Sequence, residues 1–184
     1  MKISSAMLMI LRYIPCQILA AFTVLLTWLL APLLALFYTK IDGREWLIKP
    51  LRWFQTFDNP LDEWRTGDYY KHCQWINWDF TKPFHRYLAR VFWLCRNPAY
   101  GFAQWLGIVP TGNEVLRFDV GTWDSASTNY HLITWDNCFH YRAQFYIYKN
   151  HFIRINLGYK PHSGFSKYMI TGHFNPFRTW KATA

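Results

Sequence analysis

Between Ile14 and Phe37 the chain carries no charged residue (IPCQILAAFTVLLTWLLAPLLALF). As a helix rising 1.5 Å per residue, these 24 residues extend about 36 Å. A bilayer core is about 30 Å thick, so the run is long enough to cross it with some tilt. Arg12 and Tyr13 flank one end, and Tyr38 and Lys40 the other, where interfacial anchors belong. Thr23 and Thr27 are tolerable because a hydroxyl can bond back to a helix carbonyl, and Pro32 should kink the last third. A signal peptide would have a shorter apolar run and a small-x-small cleavage site. This run instead closes with LALFYTK. The expectation is a transmembrane anchor within residues 1–40. Lys40, Arg44, Lys49 and Arg52 after the run outweigh Lys2 and Arg12 before it, which predicts a cytoplasmic C-terminal side.

Beyond the anchor the pattern changes twice. Residues 41–112 read as a juxtamembrane and amphipathic helical region. Trp46–Phe54 mixes Trp, Leu and cations, which suits headgroup level or packing on a domain. Asp58-Asn59-Pro60-Leu61-Asp62 is a helix-start signal, with Asn59 as cap and Pro60 at the first helical position. Its carboxylates, Asp68 and His72 match no calcium loop, and turn chemistry is the better account. In Pro83–Pro110, Arg90 and Arg96 argue against a second span, since an arginine at mid-membrane costs about 2.5–3.5 kcal/mol. Phe84, Leu88, Val91, Phe92 and Cys95 share one helical face, and Arg86 and Arg90 another. Asn97-Pro98 then restarts a helix that Gly107 stops. Two short amphipathic helices are predicted, lying on a membrane or against a sheet.

From Val115 the period becomes two. Leu116, Phe118 and Val120 alternate with Arg117 and Asp119. Phe139–Ile147, His151–Tyr159 and Lys167–Thr171 follow the same rule, and Leu132–Trp135 adds a candidate strand. Turn signals separate the runs, so residues 113–184 are predicted to form an antiparallel meander with one buried face. The fold class expected is α+β.

Composition sharpens this picture. Of 184 residues, 52% are hydrophobic, 21% aromatic and only 17% charged, which excludes wholesale disorder. So many amphipathic rings suit a water–hydrocarbon boundary or a stacking surface for bases. The net charge of +9 calls for an anionic partner. After Asp136 there are 7 basic residues and no acidic one. Anionic headgroups are the favoured partner. Nucleic acid is disfavoured, because no RNP-like or GxxG motif occurs. The candidate binding surface comprises Arg86, Arg90, Arg96, Tyr100, Arg142, Arg154 and Lys160. Asn59, Pro60, Asn97, Pro98 and Gly101 are assigned structural roles at turns and helix starts.

Searches for chemistry return nothing. There is no Walker A, GxGxxG, GxSxG or HExxH motif. The cysteines at 16, 73, 95 and 138 form no CxxC pair, so reduced thiols are expected. No catalytic residue, metal ligand or cofactor is assigned.

Four motifs in order carry a resemblance: DNPLD at 58–62, RNPAYGF at 96–102, LGYK at 157–160 and NPFR at 175–178. Together they resemble a family of small uncharacterised membrane-associated proteins of tailed bacteriophages, over roughly residues 46–180. The glycine usual after DNPLD is Glu63 here. The resemblance implies a phage origin and a bacterial host's inner membrane, and it supplies no activity. The function expected is that of an inner-membrane-anchored binding protein, contacting a host membrane protein or anionic lipid headgroups. The alternatives are a virion or tail component that inserts into membrane, and an enzyme on a lipid or cell-wall precursor.

Overall fold

A computed structural model describes residues 3–63, 78–122, 127–148, 151–162 and 164–179. Asp68, His72 and Cys73 of the sequence reading lie outside the described residues. The fold is α+β, with one long apolar helix, short helices, a two-stranded hairpin and a five-stranded antiparallel sheet.

Helix α1 runs from Ile3 to Leu34. Thr23 and Thr27 donate their hydroxyls to the carbonyls of Leu19 and Thr23, at 2.9 and 2.7 Å, so neither leaves an unsatisfied polar group. Pro32 falls in the last turn and the helix ends two residues later. A tight turn then leads into β1 (Tyr38–Ile41), paired antiparallel with β2 (Arg44–Leu47). The connection is Asp42-Gly43, both at positive φ (50° and 77°). That is the conformation a two-residue hairpin loop demands, and Asp-Gly adopts it readily. This hairpin covers the start of the stretch expected from sequence to be juxtamembrane. A 3₁₀ helix, η1, covers Lys49–Phe54. Helix α2 (Pro83–Arg96) and helix α3 (Tyr100–Trp105) follow.

Strands β3 (Leu116–Val120), β4 (Asn129–Thr134), β5 (Phe139–Tyr148), β6 (His151–Lys160) and β7 (Met169–Thr179) form a meander in sequence order. β7 continues through Asn175-Pro176, where a turn was expected. It is an edge strand, so proline's missing donor is tolerated there. The register with β6 shifts between Phe152↔Arg178 and Arg154↔Asn175, at the proline.

Two compact units emerge, one of residues 1–18 and 106–184, the other of 19–105. The helix expected as a separate anchor contributes residues to both. In the helical unit, Ala31, Leu34, Leu47, Leu61, Trp93 and Leu94 form the buried core. In the strand-rich unit, Tyr13 packs edge-on to Phe139 and Tyr159, and its hydroxyl donates to the Thr171 carbonyl at 2.7 Å.

Candidate membrane-contact site

Helix α1 has buried and exposed positions. Met9 and Tyr13 are buried in the strand-rich unit, and Ala20, Thr27, Ala31 and Leu34 in the helical unit, each set at helical spacing. Leu11, Ile14, Ile18, Phe22, Leu25, Leu29 and Leu33 recur every three or four residues, and all are exposed. Leu29 shows 77% of its surface. Over Met7–Leu34 the helix is long and apolar enough to cross a membrane, a test that signal sequences and core helices of soluble proteins also pass.

In the helical unit an aromatic shelf stands beside a basic one. Trp53, Phe102 and Trp105 have mutual ring-centroid distances of 5.3–5.7 Å, and Trp53 and Trp105 are exposed. The Arg52 guanidinium lies over the Trp46 ring at 5.4 Å. Arg96 is exposed at the end of α2, while Arg86 and Tyr100 are half-buried. Arg90 does not join them. It is buried, donates to the Ala35 carbonyl at 2.9 Å and pairs with Glu45 at 3.0 Å, with Tyr38's ring beneath it. The inward face of α2 is Ala89, Arg90, Trp93 and Leu94, whereas Phe84 and Phe92 are exposed. Of the face expected from periodicity, Leu88, Val91 and Cys95 do pack against the core, and Arg90 joins the interior side because Glu45 lets that side hold a guanidinium.

The joint after α2 also differs from expectation. Asn97 is the C-cap of α2, its backbone N–H donating to the Trp93 carbonyl, rather than the cap of a following helix. Pro98 is buried, Ala99 takes φ 55°, and α3 starts at Tyr100. Gly101 meets η1 closely, and its N–H donates to the Gln55 carbonyl at 2.7 Å. Asn59 lies in a bend, where its carbonyl accepts from Gln55 Nε2 and Thr56 Oγ1, and Pro60 is buried after it. Asp62 accepts from Arg44 and from the Glu45 N–H, bracing the β1–β2 hairpin.

The sheet buries polar groups on one face, while on the other Ala143, Tyr159 and Ile170 are buried too and the edge strand β3 is exposed throughout. Alternation and register place Asp119, His131, Arg142 and Asn156 in one cross-strand row, with Asn129, Gln144 and Arg154 in the next. His131, His140, Arg142, Gln144 and Arg154 are buried. Arg154 Nε donates to Gln144 Oε1 at 3.0 Å, and His131 Nδ1 sits 2.7 Å from Asp119. That contact holds the Asp119 carboxyl below its ordinary range, helped by Arg117. Burial, with Lys160, Arg142 and His131 adding positive charge, pushes His140 down to about 4. Arg142 and Arg154 are therefore interior groups, and Lys160 is exposed at the end of β6. On the opposite face Leu116, Phe118 and Val120 are exposed, as are Leu157 and Phe174. Among the described residues no cluster of three or more His, Cys, Asp or Glu is placed to hold a metal, and Cys16, Cys95 and Cys138 are free thiols.

A profile of DUF7338, a family of unknown function, matches residues 5–182. The chain belongs to DUF7338. The match takes in helix α1 together with everything described after it. No curated protein and no solved structure matches the chain. For this DUF7338 chain, one interior partner is not signalled by the sequence. Glu45 gave no local signal, since its partner Arg90 is 45 residues away in sequence. The hairpin that positions it was signalled, by Asp42-Gly43.

Proposed function

We propose that the protein attaches to a membrane through α1 and acts there by binding. The single observation that carries this reading is the run of exposed aliphatic and aromatic side chains along α1, which carries no charge from Ile14 onward. Exposed apolar surface of that length on a monomer marks a contact with another apolar phase. The net charge of +9 and the Trp53–Phe102–Trp105 shelf support anionic headgroups as the adjoining partner, with a host membrane protein as a further ligand. The four-motif resemblance supports a phage origin and a bacterial inner membrane as the location. The bias of lysine and arginine after the apolar run supports the cytoplasmic side.

Carbonate extraction and vesicle flotation test this reading. The full chain should stay with membranes at pH 11 and float with vesicles containing phosphatidylglycerol. Replacing Ile18 and Phe22 by glutamate should release it. A full chain that remains soluble at physiological salt would refute membrane attachment.

A further inference from the structure

We propose that β3 is a self-pairing edge: two copies of the chain join their β3 strands antiparallel about Phe118, so that the two sheets run on as one. The partner is a second copy of this chain. The inference goes beyond membrane attachment and does not depend on it.

The argument starts from the two edges of the sheet, β3 and β7. An edge strand offers a row of N–H and C=O groups to any other extended chain, and folds blunt such edges with proline, a bulge or charge. β7 is blunted. Pro176 has no N–H to give, and the register with β6 slips between Phe152↔Arg178 and Arg154↔Asn175. β3 has neither device. Its sequence, LRFDV, holds no proline, and its pairing with β4 runs without a shift from Leu116↔Thr134 to Val120↔Tyr130. Every residue of the strand is exposed. It does carry charge, and the order of that charge decides what can pair with it.

Leu116-Arg117-Phe118-Asp119-Val120 reads apolar, cation, aromatic, anion, apolar. A two-fold axis through Phe118, perpendicular to the sheet, sets Phe118 opposite its own copy. Arg117 then faces Asp119 of the second copy, Asp119 faces Arg117, and Leu116 faces Val120. Directly opposite residues have Cβ atoms about 4.5–5.5 Å apart, where opposite charges attract and like charges repel. Moving the axis to Arg117 or to Asp119 sets like charges opposite each other. An axis between two residues would set facing side chains on opposite faces, which the pleat forbids. One register is therefore selected, and it uses the whole strand.

The charges are placed for this exchange. Asp119 Oδ1 is taken by His131 at 2.7 Å, whereas Oδ2 has a long 3.4 Å contact with Arg117. Glu114 holds the Arg117 guanidinium at 2.6 and 2.7 Å in an exposed pair. Such a surface pair is worth little, so a partner across the joint competes with it readily. The pairing takes up the backbone edge and leaves Leu116, Phe118 and Val120 on the face they already occupy, as one apolar row shared by both copies.

Disulfide cross-linking of the full chain in mild detergent reads the register. Phe118→Cys, Leu116→Cys and Val120→Cys are made singly, and the parent gives the background from its own thiols. On mild oxidation Phe118→Cys should run as a covalent dimer, since a residue on the axis lies within disulfide reach of its copy. Leu116→Cys and Val120→Cys should each stay at background alone and cross-link when mixed. No dimer above background from Phe118→Cys, or equal self-cross-linking of Leu116→Cys, would overturn the proposal. Light scattering on a sizing column tests the charges without oxidation. The parent should have the protein mass of a dimer, and Arg117→Asp and Asp119→Arg each that of a monomer. Mixing the two variants should restore the dimer, because one chain then presents only acids and the other only bases. A monomeric parent would overturn the proposal and leave the edge to a strand of another protein. A dimeric Arg117→Asp would overturn it in favour of a different surface. The cross-linking, which keeps both charges, decides should a charge variant fail to fold.

Discussion

Gly101 offers the sharpest test of the packing described here. A Cβ added at this position would lie 2.5 Å from the Arg52 carbonyl oxygen, 2.9 Å from that of Gln55 and 3.3 Å from Trp53 Cα. All three are backbone atoms, so no side chain can swing away to make room. Ordinary contact begins near 3.4 Å, so η1 would have to retreat by about 0.9 Å from Arg52's oxygen alone, stretching the 2.7 Å bond from the Gly101 N–H to Gln55. Overpacking of this kind costs about 1–3 kcal/mol, and a weakened hydrogen bond up to about 1 kcal/mol more. Against this stands the better helix propensity of alanine, worth about 1 kcal/mol. The net expectation for Gly101→Ala is a loss of about 2 kcal/mol.

For a chain of this size 1 kcal/mol moves Tm by about 2–4 °C, so Tm should fall by about 4–8 °C. Differential scanning calorimetry in mild detergent reads it. Arg96→Ala, at an exposed position, should stay within about 1 °C of the parent. The sign makes the test decisive. If helix propensity alone governed this site, alanine would raise Tm, and an unchanged or increased Tm for Gly101→Ala would refute the proposed contact with η1.

Breaking the interior ion pair with Arg90→Ala should cost about 3–5 kcal/mol, because Glu45 is left buried and charged, and adding Glu45→Leu should recover much of it in chemical denaturation. Tyr13→Phe removes one hydroxyl bond to β7 and should lower the unfolding free energy by about 1 kcal/mol without changing membrane association. His140 is neutral in the fold, its value pushed down to about 4 from an ordinary 6.5. Its contribution to stability is complete above about pH 6.5 and is lost as pH falls through about 4. Urea titrations should show His140→Gln losing up to about 3 kcal/mol less than the parent over that window.

Elements governed by local pattern were legible in the sequence. The apolar helix, the break after Arg96 and the strands β5 and β6 all announce themselves through periodicity or a Pro-bearing joint. β1 and β2 were also announced, by Asp42-Gly43, yet their four-residue strands are too short for period-two alternation to stand out beside an adjacent apolar run. What local pattern could not disclose was partnership. Phe84, Leu88 and Phe92 stand on the more apolar side of α2, and a rule that buries the greasiest face selects all three, whereas of these Leu88 packs against the core and Phe84 and Phe92 are exposed. The fold turns Arg90 inward because Glu45 and two other acceptors of its environment, the Ala35 carbonyl and the Tyr38 ring, come from segments far away in sequence.

The sheet carries the same lesson further and connects it to membrane attachment. Alternation correctly separates Leu116, Phe118 and Val120 from Arg117 and Asp119, but it does not say which set faces in. Burying the polar set is feasible here because its members lie in cross-strand rows and answer one another: Asp119 with His131, Gln144 with Arg154. The two pairs carry less of the penalty that normally drives such groups outward. On the other face Ala143, Tyr159 and Ile170 are buried and Tyr13 and Gln17 of α1 cover part of the surface, while Phe118, on the exposed edge strand β3, remains 55% exposed. In water such a face is a liability. It becomes an asset if the surrounding phase is itself apolar, as the proposed membrane attachment through α1 would make it. A soluble protein under selection to hide its apolar groups would gain by the opposite arrangement. On the proposed membrane attachment, the exposed edge of the sheet and the exposed ridge of α1 would answer to one condition, a lipid surface beside the strand-rich unit.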